Sequence, residues 1–125
     1  MSTPRALILL AHGSRDPLWR APFEQIATQI RSQNAQLCVR TAYMELCQPR
    51  AEEVVPELLA LDVQHITIAP LFLGMGAHTR EDLPELLQTL QTAHPQVRFE
   101  VLPTLGENSA LLALISSQLL DALKA

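Results

Sequence analysis

Aromatic residues are scarce, at 4% of 125 positions, so the core has to be filled by Leu, Ile, Val and Ala rather than by rings. Basic clusters are missing too. The formal net charge is -4 and no stretch gathers Lys and Arg, which argues against a nucleic-acid partner, because that surface needs a basic stripe to displace counterions. No apolar run approaches the roughly 20 residues needed to span a bilayer, so no membrane partner is expected. The short run Ala6 to Ala11 after Arg5 leads directly into the polar His12-Gly13-Ser14-Arg15-Asp16, and it reads as a buried strand rather than a signal peptide. Cysteine is limited to Cys38 and Cys47, too far apart for a C-x-x-C motif and expected to act as small core hydrophobes in a reducing compartment. A soluble cytoplasmic protein is the expectation.

What is present is an apolar fraction of 48%, enough for one core, and residues 1–125 are expected to form one domain. Four short apolar runs alternate with four amphipathic stretches. Ala6 to Ala11 is apolar throughout, as a strand covered on both faces should be. Asp16 can cap a helix opening at Pro17, with Phe23, Ile26, Ala27 and Ile30 on its buried side. The spacing predicts a second strand over Leu37 to Glu45. A second helix is expected to open near Pro49 and to carry Val54, Val55, Leu58, Leu59 and Leu61, with Pro56 imposing a kink or a later start. Ile66 to Leu71 is the third strand. Thr79 and Asp82 have the spacing of a capping box for a helix lined by Leu83, Leu86, Leu87 and Leu90. A fourth strand, Val97 to Leu102, and a last helix, Asn108 to Leu123, complete the order. The alternation predicts an α/β fold with a four-stranded parallel sheet, order 2-1-3-4, and helices on both faces.

Functional groups in such sheets gather beyond the carboxyl ends of the strands. His12 follows the first strand, Glu45 closes the second, and His78 ends the loop after the third, so the expected strand order brings all three to one edge. Two imidazoles and a carboxylate suit a borderline divalent metal and leave positions open for water or substrate. Taken singly, a histidine after a strand is more often a loop hydrogen-bonding group and a terminal glutamate is commonly just solvated. Their coincidence at adjacent strand ends outweighs that plainer reading. His65, at the opposite end of the sheet, and His94, at the end of a helix, serve as internal controls and are assigned no role. Cys47 lies near Glu45, but a thiolate would hold too firmly an ion that has to be released.

Three stretches carry a resemblance: His12-Gly13-Ser14-Arg15 after an apolar strand, Tyr43-Met44-Glu45-Leu46 with Pro49 following, and Pro70 through Pro84 with its Phe72-Leu73-Gly74-Met75-Gly76-Ala77-His78 loop. In this order and spacing the chain resembles the class II chelatases, and within them the short sirohydrochlorin cobaltochelatases, over nearly its whole length. The resemblance implies a lyase of tetrapyrrole biosynthesis, in the cobalamin or siroheme branch, that inserts a divalent metal into sirohydrochlorin. It implies metal binding by His12 and His78, one of them also a proton acceptor, and a part for Glu45 in metal or macrocycle binding. Longer relatives hold the tetrapyrrole between two such lobes in one chain, so a homodimer would have to supply the second lobe here.

Insertion needs an exchangeable ion, removal of two pyrrole protons and a distorted ring. Either imidazole can accept a proton near neutral pH, and His12 is expected to be the base. Gly74 and Gly76 would let backbone approach a flat ring, and Phe72, Leu73, Met75 and Ala77 would contact it, although Phe72 and Leu73 equally suit the core. Ser14, Arg15 and Arg80 flank the histidines, and the arginines can pair with the carboxylates of sirohydrochlorin. No permanently bound cofactor is expected; cobalt, iron or nickel enters as a co-substrate. Two rivals come from other classes. A histidine phosphatase would carry an arginine directly before the nucleophilic histidine, where this chain has Ala11, and a metal carrier would not need the glycine-bearing loop.

Overall fold

The computed structural model describes residues 3–124. Its strands are β1 (Arg5–Ala11), β2 (Cys38–Tyr43), β3 (His65–Pro70) and β4 (Arg98–Val101), all parallel in the order β2-β1-β3-β4. This is the order that the sequence predicts. The central pair is β1 and β3, with Leu10 level with Ala42 on one side and Pro70 on the other.

The helices are α1 (Ala21–Gln33), α2 (Ala51–Leu59), α3 (Ala77–Ala93) and α4 (Ser109–Ala122). On one face Ala6, Ile8, Leu10, Ile66 and Ile68 pack with Val54, Val55 and Leu58 of α2 and Leu90 of α3. On the other, Leu9 and Val39 pack with Ala27 of α1, and Leu7, Ile30, Leu37, Ala69 and Leu71 border them. Apolar residues on both sides of β1 therefore have helices to meet, which is why its sequence does not alternate. Burying each of these larger aliphatic side chains is worth about 1.5–3 kcal/mol.

Several boundaries differ from expectation. Asp16 does accept from the Leu18 N–H at 2.9 Å, but the turn it caps is a 3₁₀ turn, Pro17–Arg20, and α1 begins after it. The regular strand β2 ends at Tyr43 rather than Glu45, although its backbone stays hydrogen-bonded to the end of β1 through Glu45, and the chain turns only at Leu46, which takes a left-handed φ of 69°. α2 starts after Arg50, whose backbone N–H bonds the Glu53 carboxylate at 3.0 Å, not at Pro49. Pro56 sits inside that helix without ending it. The proposed cap at Thr79 is also displaced: Gly76 is the N-cap of α3, so Thr79 lies in its first turn and is buried. α4 forms as expected, but none of its residues is buried.

Candidate metal and substrate site

The ladder between β1 and β2 continues past both strands. The Met44 N–H bonds the Ala11 carbonyl at 2.9 Å, and the Glu45 N–H bonds the His12 carbonyl at 3.0 Å. Gly13 makes that approach possible. Its φ is +106°, and a Cβ there would stand 1.7 Å from the Glu45 carbonyl oxygen. Only glycine fits both the dihedral and the space. The backbones carrying His12 and Glu45 are thus tied together by the residue between them.

His12 is held on two sides. Its ring lies 4.5 Å from that of Phe72, inclined at 40°, and its Nε2 is 3.5 Å from the Thr79 hydroxyl. Phe72 is 2% exposed, so the structure places its side chain in the core as a backing for His12. Thr79 directly follows His78, so the first turn of α3 brings the second histidine to the same cleft.

That cleft has a volume of 510 Å³, and His12, Glu45 and His78 all line it. The three side chains are exposed. Among the described residues no three His, Cys, Asp or Glu side chains lie close enough together to hold a metal ion, so the donors share a cleft without forming a ready coordination shell. Arg50, Glu52, Thr79, Asp82 and Glu85 complete its polar wall, and Arg50 pairs with Glu52 at 3.3 Å. Arg50, Glu52 and Glu85 belong to no expected site, and Thr79 and Asp82 were expected only as a helix cap, although His78, Asp82, Glu85 and Thr89 recur at spacings of four, three and four and so share one face of a helix.

The remaining expected residues fall at or outside the margin. Ser14 accepts from the Asp16 N–H at 3.1 Å. Arg15 and Arg80 are exposed, and neither lines the cleft; its guanidinium is that of Arg50. Along the loop after β3, Leu73 and Ala77 are exposed, Met75 packs against the core, and nothing stands within 4 Å of a Cβ built at Gly74 or Gly76. Gly106, which was not singled out, meets this loop: its N–H bonds the Phe72 carbonyl at 3.3 Å, and a Cβ there would lie 1.9 Å from the Leu73 carbonyl oxygen.

The control histidines stand apart. His65 begins β3 at the far end of the sheet and bonds Glu100 at 2.9 Å; that hydrogen bond, with the charges of Arg98 and Arg5 nearby, holds the Glu100 carboxyl below the usual carboxylate range. His94 is the C-cap of α3. At the end of β2, burial pushes the Tyr43 phenol up.

Comparison with known proteins agrees with this architecture. Among curated relatives, a sirohydrochlorin cobaltochelatase of Methanopyrus kandleri is 37% identical over 82 residues, which is 66% of this chain and 57% of that one. A second, from Methanococcus aeolicus, is 33% identical over 86 residues, 69% of this chain and 60% of that one. The chain thus spans less than two thirds of the length of these relatives. Among solved structures, a CbiX protein of Marinobacter aquaeolei VT8, named for cobalamin (vitamin B12) biosynthesis, superposes with a TM-score of 0.84 at 32% identity, covering 97% of this chain and 98% of that one. The sirohydrochlorin chelatase SirB of Bacillus subtilis subspecies spizizenii, solved with cobalt, shares the fold at 20% identity and a TM-score of 0.78, and 94% of this chain covers 50% of it. The family model described as CbiX matches residues 6–122, a span from the first strand to the end of the last helix that takes in both histidines and Glu45, and on that match this chain belongs to the CbiX family.

Proposed function

We propose that this protein is a sirohydrochlorin chelatase that inserts a divalent metal, cobalt first among cobalt, iron and nickel, into the tetrapyrrole in the cytoplasm. The observation that carries the reading is the meeting of His12, Glu45 and His78 in one cleft at the carboxyl edge of the sheet. Four carboxylates, those of Glu45, Glu52, Asp82 and Glu85, line the same space, so it attracts a dication before any ligand bond forms. His12 and His78 then present the ion through neutral nitrogen while leaving positions for the ring.

The chemistry requires two pyrrole N–H protons to leave as two nitrogen–metal bonds form. His12, backed by Phe72 and oriented by Thr79, is the better-positioned proton acceptor, and His78, on the exposed first turn of α3, is the freer metal carrier. Arg50 within the cleft, with Arg15 and Arg80 beyond its margin, supplies cations for the substrate's carboxylates, and Leu73 offers an exposed apolar contact. We further propose that one copy provides half of the substrate cleft. The fold shared with half of SirB supports this, and a symmetric homodimer would supply the facing wall.

Purified protein incubated with sirohydrochlorin and cobalt, iron or nickel in turn should change the macrocycle's absorption spectrum faster than metal and ring alone. Equal rates with and without protein for all three metals would reject the chelatase reading. Among the described residues no helix is long and apolar enough to cross a membrane.

A further inference from the structure

A flat ring entering the cleft meets few apolar partners. Of the residues that line it, only Met44 and Leu86 are apolar, and the rest are polar or charged. That wall suits an ion and the carboxylates of a tetrapyrrole. It does not suit the ring itself, because small-molecule sites normally offer apolar side chains to the faces of a planar ligand. Those side chains have to come from the loops around the cleft.

An exposed leucine alone carries no message, since folded proteins leave many apolar atoms in water. Backbone conformation separates one leucine from the others. Among the described residues, two other than glycine take a left-handed φ, Asp62 at 63° and Leu46 at 69°. Asp62 has an ordinary reason. It follows the last turn of α2, where the Val63 N–H bonds the Leu58 carbonyl at 3.2 Å and the Asp62 N–H bonds the Leu59 carbonyl at 3.0 Å, the pattern of a helix that ends in one left-handed residue. Aspartate tolerates that region, whereas leucine enters it at a cost that glycine or asparagine would avoid. Leu46 ends no helix, and packing does not repay its strain, because its side chain is 50% exposed.

The loop that carries Leu46 is fixed at both ends. The Glu45 N–H bonds the His12 carbonyl at 3.0 Å before it, and after it the Pro49 carbonyl accepts from the Tyr43 N–H at 2.9 Å. Glu45 and Arg50, on either side of the loop, both line the cleft. Leu46 therefore belongs to a short loop whose two feet stand in the site. Leu73, 58% exposed, occupies the corresponding loop after β3. β2 and β3 lie on opposite sides of β1, so the two leucines follow strand ends about 10 Å apart, with His12 at the end of the strand between them. A planar ring laid across both loops would have its middle at the β1 end, where His12 stands.

We infer that Leu46 is a substrate-contact residue, held in its left-handed conformation so that it and Leu73 flank the end of β1 and receive the face of a flat, polycarboxylated tetrapyrrole. A contact made only when the ring is bound explains why the free protein carries a leucine that is both strained and exposed. The inference deepens the chelatase reading and takes the class of ligand from it, but no step of metal transfer is part of it.

The test measures binding of the metal-free ring. The chain has one tryptophan, Trp19, whose ring lies 5.9 Å from that of Tyr43 at the end of β2; a tetrapyrrole absorbs where tryptophan emits, so titration with sirohydrochlorin should quench it. Leu46→Asn relieves the left-handed strain and removes the apolar contact. Its melting temperature should equal or exceed that of the unaltered chain, its dissociation constant for sirohydrochlorin should rise roughly tenfold, and its cobalt affinity should stay the same. Leu46→Met, which restores apolar reach, should recover most of the ring affinity. Leu61→Asn is the matched control: Leu61 is 48% exposed but lies between α2 and the start of β3, at the other end of the sheet, and ring binding should not change. Unchanged ring affinity in Leu46→Asn overturns the inference. So does a fall in melting temperature or cobalt affinity alongside the loss, since either makes Leu46 a structural residue. The two readings fail separately. Ring affinity that ignores Leu46 in a protein that still inserts metal removes only the inference, and ring affinity that depends on Leu46 in a protein that inserts none of cobalt, iron or nickel removes only the chelatase. A chain that binds no sirohydrochlorin removes both.

Discussion

Replacing Gly13 by alanine tests whether the contact between the β1 and β2 termini builds the site. The new Cβ would stand 1.7 Å from the Glu45 carbonyl oxygen, where ordinary contact begins near 3.4 Å, so one loop must retreat by about 1.7 Å. That displacement breaks the 3.0 Å bond from the Glu45 N–H to the His12 carbonyl, a net loss of about 1 kcal/mol. Holding alanine at a φ of +106° adds about 1–3 kcal/mol. Together they give roughly 2–4 kcal/mol, a large part of a total stability of about 5–15 kcal/mol. For a chain of this length the melting temperature should fall on the order of 10 °C. Urea titration followed by far-UV dichroism measures the loss, and cobalt titration should weaken in parallel because His12 and Glu45 flank the strained point. Gly74→Ala is the matched control: nothing lies within 4 Å of its Cβ, so stability should stay within about 0.5 kcal/mol. If Gly13→Ala is as mild as Gly74→Ala, the reasoning is wrong.

The remaining predictions concern the cleft itself. His12→Ala and His78→Ala should each weaken cobalt binding by at least about tenfold in calorimetric titration and remove most insertion activity, whereas His65→Ala, which loses only a partner exposed beside it, should do neither. Equal effects from all three would refute the site assignment. Glu45→Gln removes charge with little change of volume, so turnover with sirohydrochlorin should fall while the melting temperature holds; unchanged turnover would return Glu45 to the role of a solvated loop residue. Thr79→Val keeps the shape and removes the hydroxyl 3.5 Å from His12, so activity should drop by up to about tenfold, with cobalt affinity less affected than turnover. An equal loss in both would make Thr79 an aid to metal binding rather than a positioning residue for the base.

The strand order and the meeting of His12, Glu45 and His78 at one edge were legible because both depend on periodicity and connection rules, which act over short stretches of chain. The loop register was not. Thr79 and Asp82 have the spacing of a helix cap, but the actual N-cap is Gly76, and the shift of one turn places Thr79 against His12, a residue 67 positions away. Local spacing cannot distinguish a cap from a first-turn residue whose hydroxyl has a distant partner. Phe72 shows the same limit from the other side: the sequence allows it in the core or against a ring ligand, and it is the ring of His12 at 4.5 Å that fixes its place.

What could not be read from local patterns at all is the role of close backbone approach. Gly13 stands in a quoted motif, yet only the Glu45 carbonyl lying across from it explains why that position excludes a side chain. Gly106 belongs to no motif and meets the Leu73 carbonyl in the same manner. In both cases the residue in the way is contributed by another strand end, so the constraint exists only after the sheet has formed. Gly74 and Gly76, the glycines that the sequence makes conspicuous, face open space. The division has a physical consequence for the site: the glycines that fix the cleft's frame tie its loops to one another, while those in the exposed loop leave its surface free to meet a flat ligand. Rigid ties under His12 and Glu45 beside an unencumbered loop suit the proposed chelatase, which would have to hold an ion in place while admitting a macrocycle above it.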